Sequence, residues 1–237
     1  MKKLVLVIYM LSMGSLAWAQ SAPPLGSAQT FAVLGASTVT NMGPTVITGD
    51  LGVSPGTAVT GFPPGTVTGG TIHAGDATAT AALAAAHTAY GNLVAQPCGT
   101  NLTGKTLGTS PGAVTLSPGV YCFDSSAQLT GTLTLNGKGV YVFKIGSTLT
   151  TASNSSVVLA NGATTGTVFW QVTSSATLGT NTAFEGSILA NISDTVTTGA
   201  SVTGRVFALT GAVTLSGNRI RAVSKHDRKD NDHKDHD

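Results

Sequence analysis

The sequence predicts a mainly β protein: a right-handed parallel β-helix, a solenoid of short strands, with one long α-helix packed along one side. Three observations lead there. Small and β-branched residues dominate the 237-residue chain, with 30 glycines and only 9% charged residues, a composition of short strands and frequent turns. The C-terminal half repeats one template: an apolar strand, a small polar turn, and a second strand whose apolar residue is flanked mostly by threonine. One alanine-rich stretch interrupts that texture with a helical period.

Taken in order, the chain begins with Lys2 and Lys3 ahead of an apolar run, Leu4–Leu16, and a small-x-small site at Ala17–Ala19. The run is shorter than the ~20 residues of a membrane-spanning helix. Residues 1–19 are therefore expected to be a secretory signal peptide, leaving a mature chain that is secreted, extracellular and without a membrane partner. Phe31–Asn41, FAVLGASTVTN, fits the repeat template, with Val39 between Thr38 and Thr40. It is expected to stack beside the last coils, close in space though distant in sequence. Thr45–Gly75, punctuated by Pro55-Gly56 and Pro63-Pro64-Gly65, is expected to cap one end of the stack, where open strands invite pairing.

Gly75–Pro97 is the alanine-rich stretch. Asp76 suits an N-cap, alanine is the best helix former, and Pro97 stops the run, so a helix is expected over about 76–96. Leu83, Ala86, Tyr90 and Val94 recur at three- and four-residue steps and define its expected buried face.

From Gln128-Leu129-Thr130 onward the template recurs in VYVFKIGSTLTTAS from Val140, TVFWQVTSSATLGTNT from Thr167, GSILANISDTVTTGAS from Gly186 and GRVFALTGAVTLSGN from Gly204. With the segments superposed on this template, Leu149, Leu178, Val196 and Val213 are expected to share one inward column. Strand alternation then turns the flanking threonines outward. Thr148, Thr177 and Thr195 make one expected row, and Thr150, Thr197 and Thr214 a second. Coils of roughly 17–29 residues with two or three strands each read as a solenoid, and its right hand follows from the handedness of parallel crossovers. The β-helix domain is expected over 20–220. From residue 221, RAVSKHDRKDNDHKDHD has almost nothing to bury and reads as a disordered charged tail. That tail is either simply solvated or a weak divalent-metal binder through its His and Asp residues.

Cys98 and Cys122 are the two cysteines. In an exported chain they read as a disulfide closing a loop of about 25 residues, worth roughly 3 kcal/mol on the chain-entropy model. The other reading is a pair of buried free thiols. Two cysteines alone do not make a four-ligand zinc site.

Charge narrows the function classes. Between Gln20 and Ile220 the basic residues are Lys105, Lys138, Lys144, Arg205 and Arg219, and the acidic ones Asp50, Asp76, Asp124, Glu185 and Asp194. That sparse, balanced set builds no basic patch for a nucleic-acid partner. Ahead of the tail, His73 and His87 stand in no nucleophile–base pattern, and no GxSxG, HExxH or phosphate loop appears. Neither an enzyme nor a cofactor or metal site is expected. Sequons occur at Asn101, Asn154 and Asn191, but three-residue matches are common by chance.

The repeated threonines carry two readings. Threonine is a good outward strand residue anywhere. Threonine at one offset in coil after coil also presents hydroxyls and methyls on a grid of ~4.8 Å between strands and ~6.6 Å along them, which can hold water in a lattice-like array.

The chain resembles the microbial ice-binding (antifreeze) protein family with a discontinuous right-handed β-helix and a flanking α-helix. The resemblance rests on FAVLGASTVTN (Phe31–Asn41), ITGDLGVSPGTAVTGF (Ile47–Phe62), PGVYCFDSSAQLTGTLTL (Pro118–Leu135) and GRVFALTGAVTLSGNRI (Gly204–Ile220). It implies adsorption to ice, thermal hysteresis and inhibition of ice recrystallisation. The short Gly61–Gly75 link departs from members that carry a large capping insertion, and the cysteine pair resembles members that use a disulfide loop instead. The family's loose T-A/G-x-T/N pattern is met by TAVT at Thr57–Thr60 and by TGKT at Thr103–Thr106. The ice-binding residues expected on the second strand of each coil are Thr38, Thr40, Thr57, Thr60, Thr130, Thr148, Thr150, Thr177, Thr195, Thr197 and Thr214. A monomer with the ice crystal surface as its partner is expected. The competing expectation is an extracellular adhesive or polysaccharide-binding β-helix.

Overall fold

The computed structural model describes residues 20–223. The expected signal peptide and residues 224–237 of the expected tail lie outside the described residues; residues 221–223, assigned to that tail from sequence, instead continue the fold, with Arg221 ending the strand Arg219–Arg221 and Val223 buried. Every strand pairing given below is parallel, and the strands form three walls around one apolar core. The first wall faces the helix and stacks Gly119–Phe123, Tyr141–Ile145 and Val168–Val172, then the second halves of Ala183–Ala190 and Ser201–Ala208. The second wall has seven strands in the order Ala127–Leu129, Leu149–Thr151, Ala176–Leu178, Asp194–Val196, Val213–Ser216, Thr38–Met42 and Ala58–Thr60. The third stacks Thr132–Asn136, Ser156–Ala160, the first halves of the two long strands, Arg219–Arg221, Val46–Thr48 and Thr66–Thr68.

The stack is discontinuous as the sequence predicts. Val33, Leu34 and Gly35 pair with Val206, Phe207 and Ala208. Ile47 likewise pairs with Ile220. Thr45–Gly75 does end the stack, but as regular coil strands, with Ala58–Thr60, Thr66–Thr68 and Ile72–Ala74 as the outermost.

The two long strands turn from the third wall into the first at Gly186 and Gly204, whose φ values are 111° and 140°. A Cβ on Gly204 would lie 2.0 Å from the Gly186 carbonyl oxygen, so the Gly204 corner nests on Gly186 only because it carries no side chain.

The apolar first-wall strands are buried on both faces, which is why they read as continuous runs. One alternation points inward: Tyr121, Phe143 and Trp170 are register partners, with ring centroids 5.5 and 3.8 Å apart. The other alternation, Val120, Val142, Phe169, Leu189 and Phe207, meets the helix.

That helix spans Ala77–Ala95, and the Asp76 carboxylate accepts the Ala79 N–H at 2.8 Å as its N-cap. Its buried stripe is Ala79, Ala82, Leu83, Ala86, Ala89 and Leu93. Leu83 and Ala86 therefore lie where the sequence predicts, whereas Val94 is 46% exposed and Leu93 takes its place. Two successive four-residue steps from Ala86 overshoot the 3.6-residue turn and rotate position 94 off the sheet. Tyr90, half-buried, accepts a hydrogen bond from Gln171 Nε2 at 2.9 Å. The alanines let the helix lie close against the strands beneath. Lys144 Nζ donates to the Val94 and Gln96 carbonyls at the helix end, where a cation complements the dipole. Cys98 and Cys122 form the disulfide, Cα atoms 5.9 Å apart, and Thr100–Asn101 just beyond it pairs with Tyr121–Cys122.

Candidate functional site

The seven-stranded wall holds the expected threonines, in a register that differs from the one their spacing suggests. Thr60, Thr40, Thr214, Thr195, Thr177 and Thr150 are successive partners in a single central row, which Gln128 continues. Leu107 bridges to Leu129, so the next position beyond Gln128 falls to Thr106. At ~4.8 Å per strand the six threonines span ~24 Å.

The expected pairing of Thr148 with Thr177 and Thr195, and of Thr150 with Thr197 and Thr214, is thus corrected. Leu149 shares its inward column with Ala176, Asp194 and Val213, while Leu178 and Val196 share the next one with Thr151 and Leu215. Aligning the largest apolar residues slipped two strands by two positions, a slip that keeps every face assignment intact because side chains alternate with period two.

Two flanking rows follow from this register. Thr148 and Thr38 belong to one, with Ser126, Ser175, Ser193, Ala212 and Ala58. Its hydroxyls are largely engaged with the protein: Ser126 and Thr148 share a 2.8 Å hydrogen bond, while Ser175 and Ser193 accept the N–H groups of Ser193 and Ala212. Thr130 and Thr197 belong to the other, with Ser216 and Met42, which is 62% exposed. There Thr197 Oγ1 donates to the Leu178 carbonyl at 2.7 Å, and Ser216 bonds Thr198. Among the described residues no side-chain hydrogen bond engages the six central hydroxyls, and no charged side chain projects from the three rows. Thr57 lies outside the wall, in the turn before Ala58 and beside Gly75. The serines and Gln128 are absent from the expected rows because those rows are defined by threonine; Thr106, the last residue of TGKT, takes the position beyond Gln128.

Beneath the central row the inner column is apolar except at Asp194, which is 2% exposed with neither carboxylate oxygen bonded. Burial alone pushes its carboxyl well above the usual carboxylate range. The next column carries two further polar residues, both satisfied internally: Thr151 Oγ1 accepts the Gly179 N–H and bonds Thr182, both at 2.8 Å, and Asn41 Nδ2 donates to the Gly43 and Gly61 carbonyls.

His73, read from sequence as standing in no nucleophile–base pattern, sits in an exposed hydrogen-bonded chain. Its Nε2 meets Thr71 Oγ1 at 3.0 Å and its Nδ1 meets Asp76 Oδ2 at 2.7 Å. The Thr71 N–H is held by Asp50, the other Asp76 oxygen caps the helix, and the imidazole lies against Phe31. These bonds tie Ile72–Ala74, at the end of the stack, to the helix start. Glu185 leaves the third wall, where burial raises its carboxyl and hydrogen bonds from Thr165 and Thr203 oppose the rise. No group of three or more His, Cys, Asp or Glu residues among those described is arranged to hold a metal. No helix of the described residues is long and apolar enough to cross a membrane.

Residues 33–221 match a family described as Ice-binding-like. The chain is 53% identical over 207 residues to an ice-binding protein of Nostoc sp. (strain HG1), a match covering 85% of this chain and 75% of that one. Its fold is similar to the crystal structure of an ice-binding protein from an Antarctic biological consortium, at 42% identity and a TM-score of 0.81, over 86% of this chain and 92% of the other. It is also similar to that of an ice-binding protein from the Antarctic ascomycete Antarctomyces psychrotrophicus, at 38% identity and a TM-score of 0.80, over 86% of this chain and all of the other.

Proposed function

The chain belongs to the ice-binding-like family, and on that premise we propose that it is a secreted antifreeze protein that adsorbs to ice through the central threonine row. The observation that carries this reading is the row itself: six register-matched threonines whose hydroxyls bond no other side chain or backbone group of the described protein.

The mechanism is adsorption, with no covalent bond made or broken. A charged surface pulls first-layer water into shells centred on each ion, in an order set by charge rather than by a lattice. The uncharged row holds water differently. Each methyl limits where a water can sit, and each hydroxyl anchors one by a hydrogen bond. Because the backbone ladder fixes the threonines at even intervals, the ordered water inherits that spacing. β-branching restricts χ1, so little side-chain entropy is lost when the layer freezes onto a crystal. Molecules held on the crystal force ice to grow between them as curved fronts, which lowers the freezing point below the melting point. The same pinning blocks recrystallisation.

The working form is a monomer, and neither nucleic acid nor a membrane is a partner. An adhesive or polysaccharide-binding role would call for aromatic platforms, yet Trp170, Phe143 and Phe184 are inside the coils. The test is nanolitre osmometry on the purified chain. A faceted crystal held without growth below its melting point supports the reading. A round crystal growing freely at high protein concentration overturns it.

A further inference from the structure

Asp194 belongs to the strand Asp194–Val196, beside the outward Thr195 of the central row. Its register partners in the inner column are Ala176 and Val213. We propose that Asp194 is a positioning residue for the row: as a neutral acid it keeps the coil closed beneath Thr195, and as an anion it draws water inside the wall and displaces Thr195 from Thr177 and Thr214. This inference rests on the antifreeze reading above.

The surroundings make the carboxyl's protonation state matter. The other walls of these coils turn Val172, Ile188, Ala190, Phe184, Val202, Val206 and Ala208 toward the core. Among the described residues no titratable or charged group faces Asp194. Arg205 points to the helix side, where it donates to the Gln29 and Val223 carbonyls. Glu185 points out of the third wall and accepts from Thr165. Gln171 and Lys144, on the first wall, point toward the helix. An uncompensated charge in such a core is expensive, so the group stays protonated until water reaches it.

The path for water is local. The strand is three residues long, and its entry is held by the Asp194 N–H to the Ala212 carbonyl at 3.0 Å and by Ser193 Oγ accepting the Ala212 N–H at 3.2 Å. Opening that entry to solvate Asp194 moves its chain neighbour Thr195. The sign follows from linkage. A carboxyl with a raised folded-state pKa contributes stability that is fully present below its ordinary pKa and is lost as pH rises through the folded one. Ice adsorption is therefore strongest in acid and weakens as pH rises.

The experiment compares the wild type with Asp194→Asn and Asp194→Val from about pH 5 to about pH 9. Three readouts are taken: thermal hysteresis, the isotope-edited infrared carboxyl band, and amide hydrogen exchange at Thr195 and Val196. In the wild type a protonated-acid band persists at neutral pH, hysteresis falls by roughly twofold once about half the molecules are ionised, and exchange at Thr195 rises beyond its intrinsic pH dependence. Both variants lack the band and stay flat. Parallel hysteresis and exchange profiles in all three proteins overturn the proposal, as does a fully ionised Asp194 at the acid end. A wild type that holds no crystal at any pH overturns the antifreeze reading instead, and exchange at Thr195 then decides separately whether Asp194 controls the row.

Discussion

Thr40 and Thr214 are register partners in parallel strands, one from the first coil of the chain and the other from its last. Their pairing carries the central row across the seam: Thr60 follows Thr40 on one side, and Thr195 follows Thr214 on the other. A surface ~24 Å long is thus assembled from two separately encoded pieces, and its continuity depends on the seam as much as on any threonine.

The central row can be told apart from its flanks by substitution. Thr177→Tyr or Thr195→Tyr should cut thermal hysteresis at fixed concentration by about tenfold, equivalent to about 1.4 kcal/mol of adsorption. The fold should be unaffected, because these positions face outward. Thr197→Lys, in a flanking row whose hydroxyl already serves Leu178, should cost clearly less. Equal losses in all three would place the contact surface across the rows rather than along the central one.

The helix stripe makes neighbouring residues behave oppositely. Leu93→Ala removes a fully buried side chain and should destabilise by about 2–5 kcal/mol. Val94→Ala should stay within about 0.5 kcal/mol of the wild type. Chemical denaturation of both variants checks the register of the helix on the sheet.

Removing the disulfide should lower stability through the unfolded state. Cys98→Ser with Cys122→Ser frees a loop whose ends are 24 residues apart, a loss of about 3 kcal/mol on the chain-entropy model. For a domain of this size that is a fall of about 6–12 °C in melting temperature by calorimetry. Ice activity measured in the cold should survive, because the bridge lies beside the first wall and away from the row.

Asp76 gives the opposite pH dependence to Asp194. The Ala79 N–H, then the hydrogen bond from His73, hold its carboxyl below the ordinary range. A depressed pKa contributes stability that is present above the unfolded value and lost as pH falls through the folded one. The melting temperature of Asp76→Asn should therefore match the wild type most closely in acid and diverge from it toward neutral pH. A gap independent of pH would show that the cap acts without its charge.

The architecture was legible because parallel coils leave a strong imprint: apolar runs for walls buried twice over, threonine alternation for a wall with one wet face, and an alanine helix closed by Pro97. Register was less legible. Leu149 and Leu178 look equivalent in a list of segments, yet Leu149 pairs with Ala176, and the true column holds an aspartate. No rule based on hydrophobic size places Asp194 inside. The serine corners would have helped, since Thr148, Ser175 and Ser193 mark the same point of successive coils. Val94 failed for a simpler reason, a quarter-turn of accumulated phase. Tyr90 and Gln171 meet through their polar ends, a contact invisible to periodicity.

The seam between Phe31–Gly35 and Ser201–Ala208 also fixes an order of events. A solenoid whose neighbours in space are neighbours in sequence can be wound as the chain emerges. Here the first strands made are completed by nearly the last, so their edge stays open while the intervening coils form. Long-range pairing of that kind is slow, and an open strand edge recruits other chains. A product truncated before Arg205 would lack the strand that covers this edge, and would be exposed to aggregation whatever the quality of its remaining threonine row.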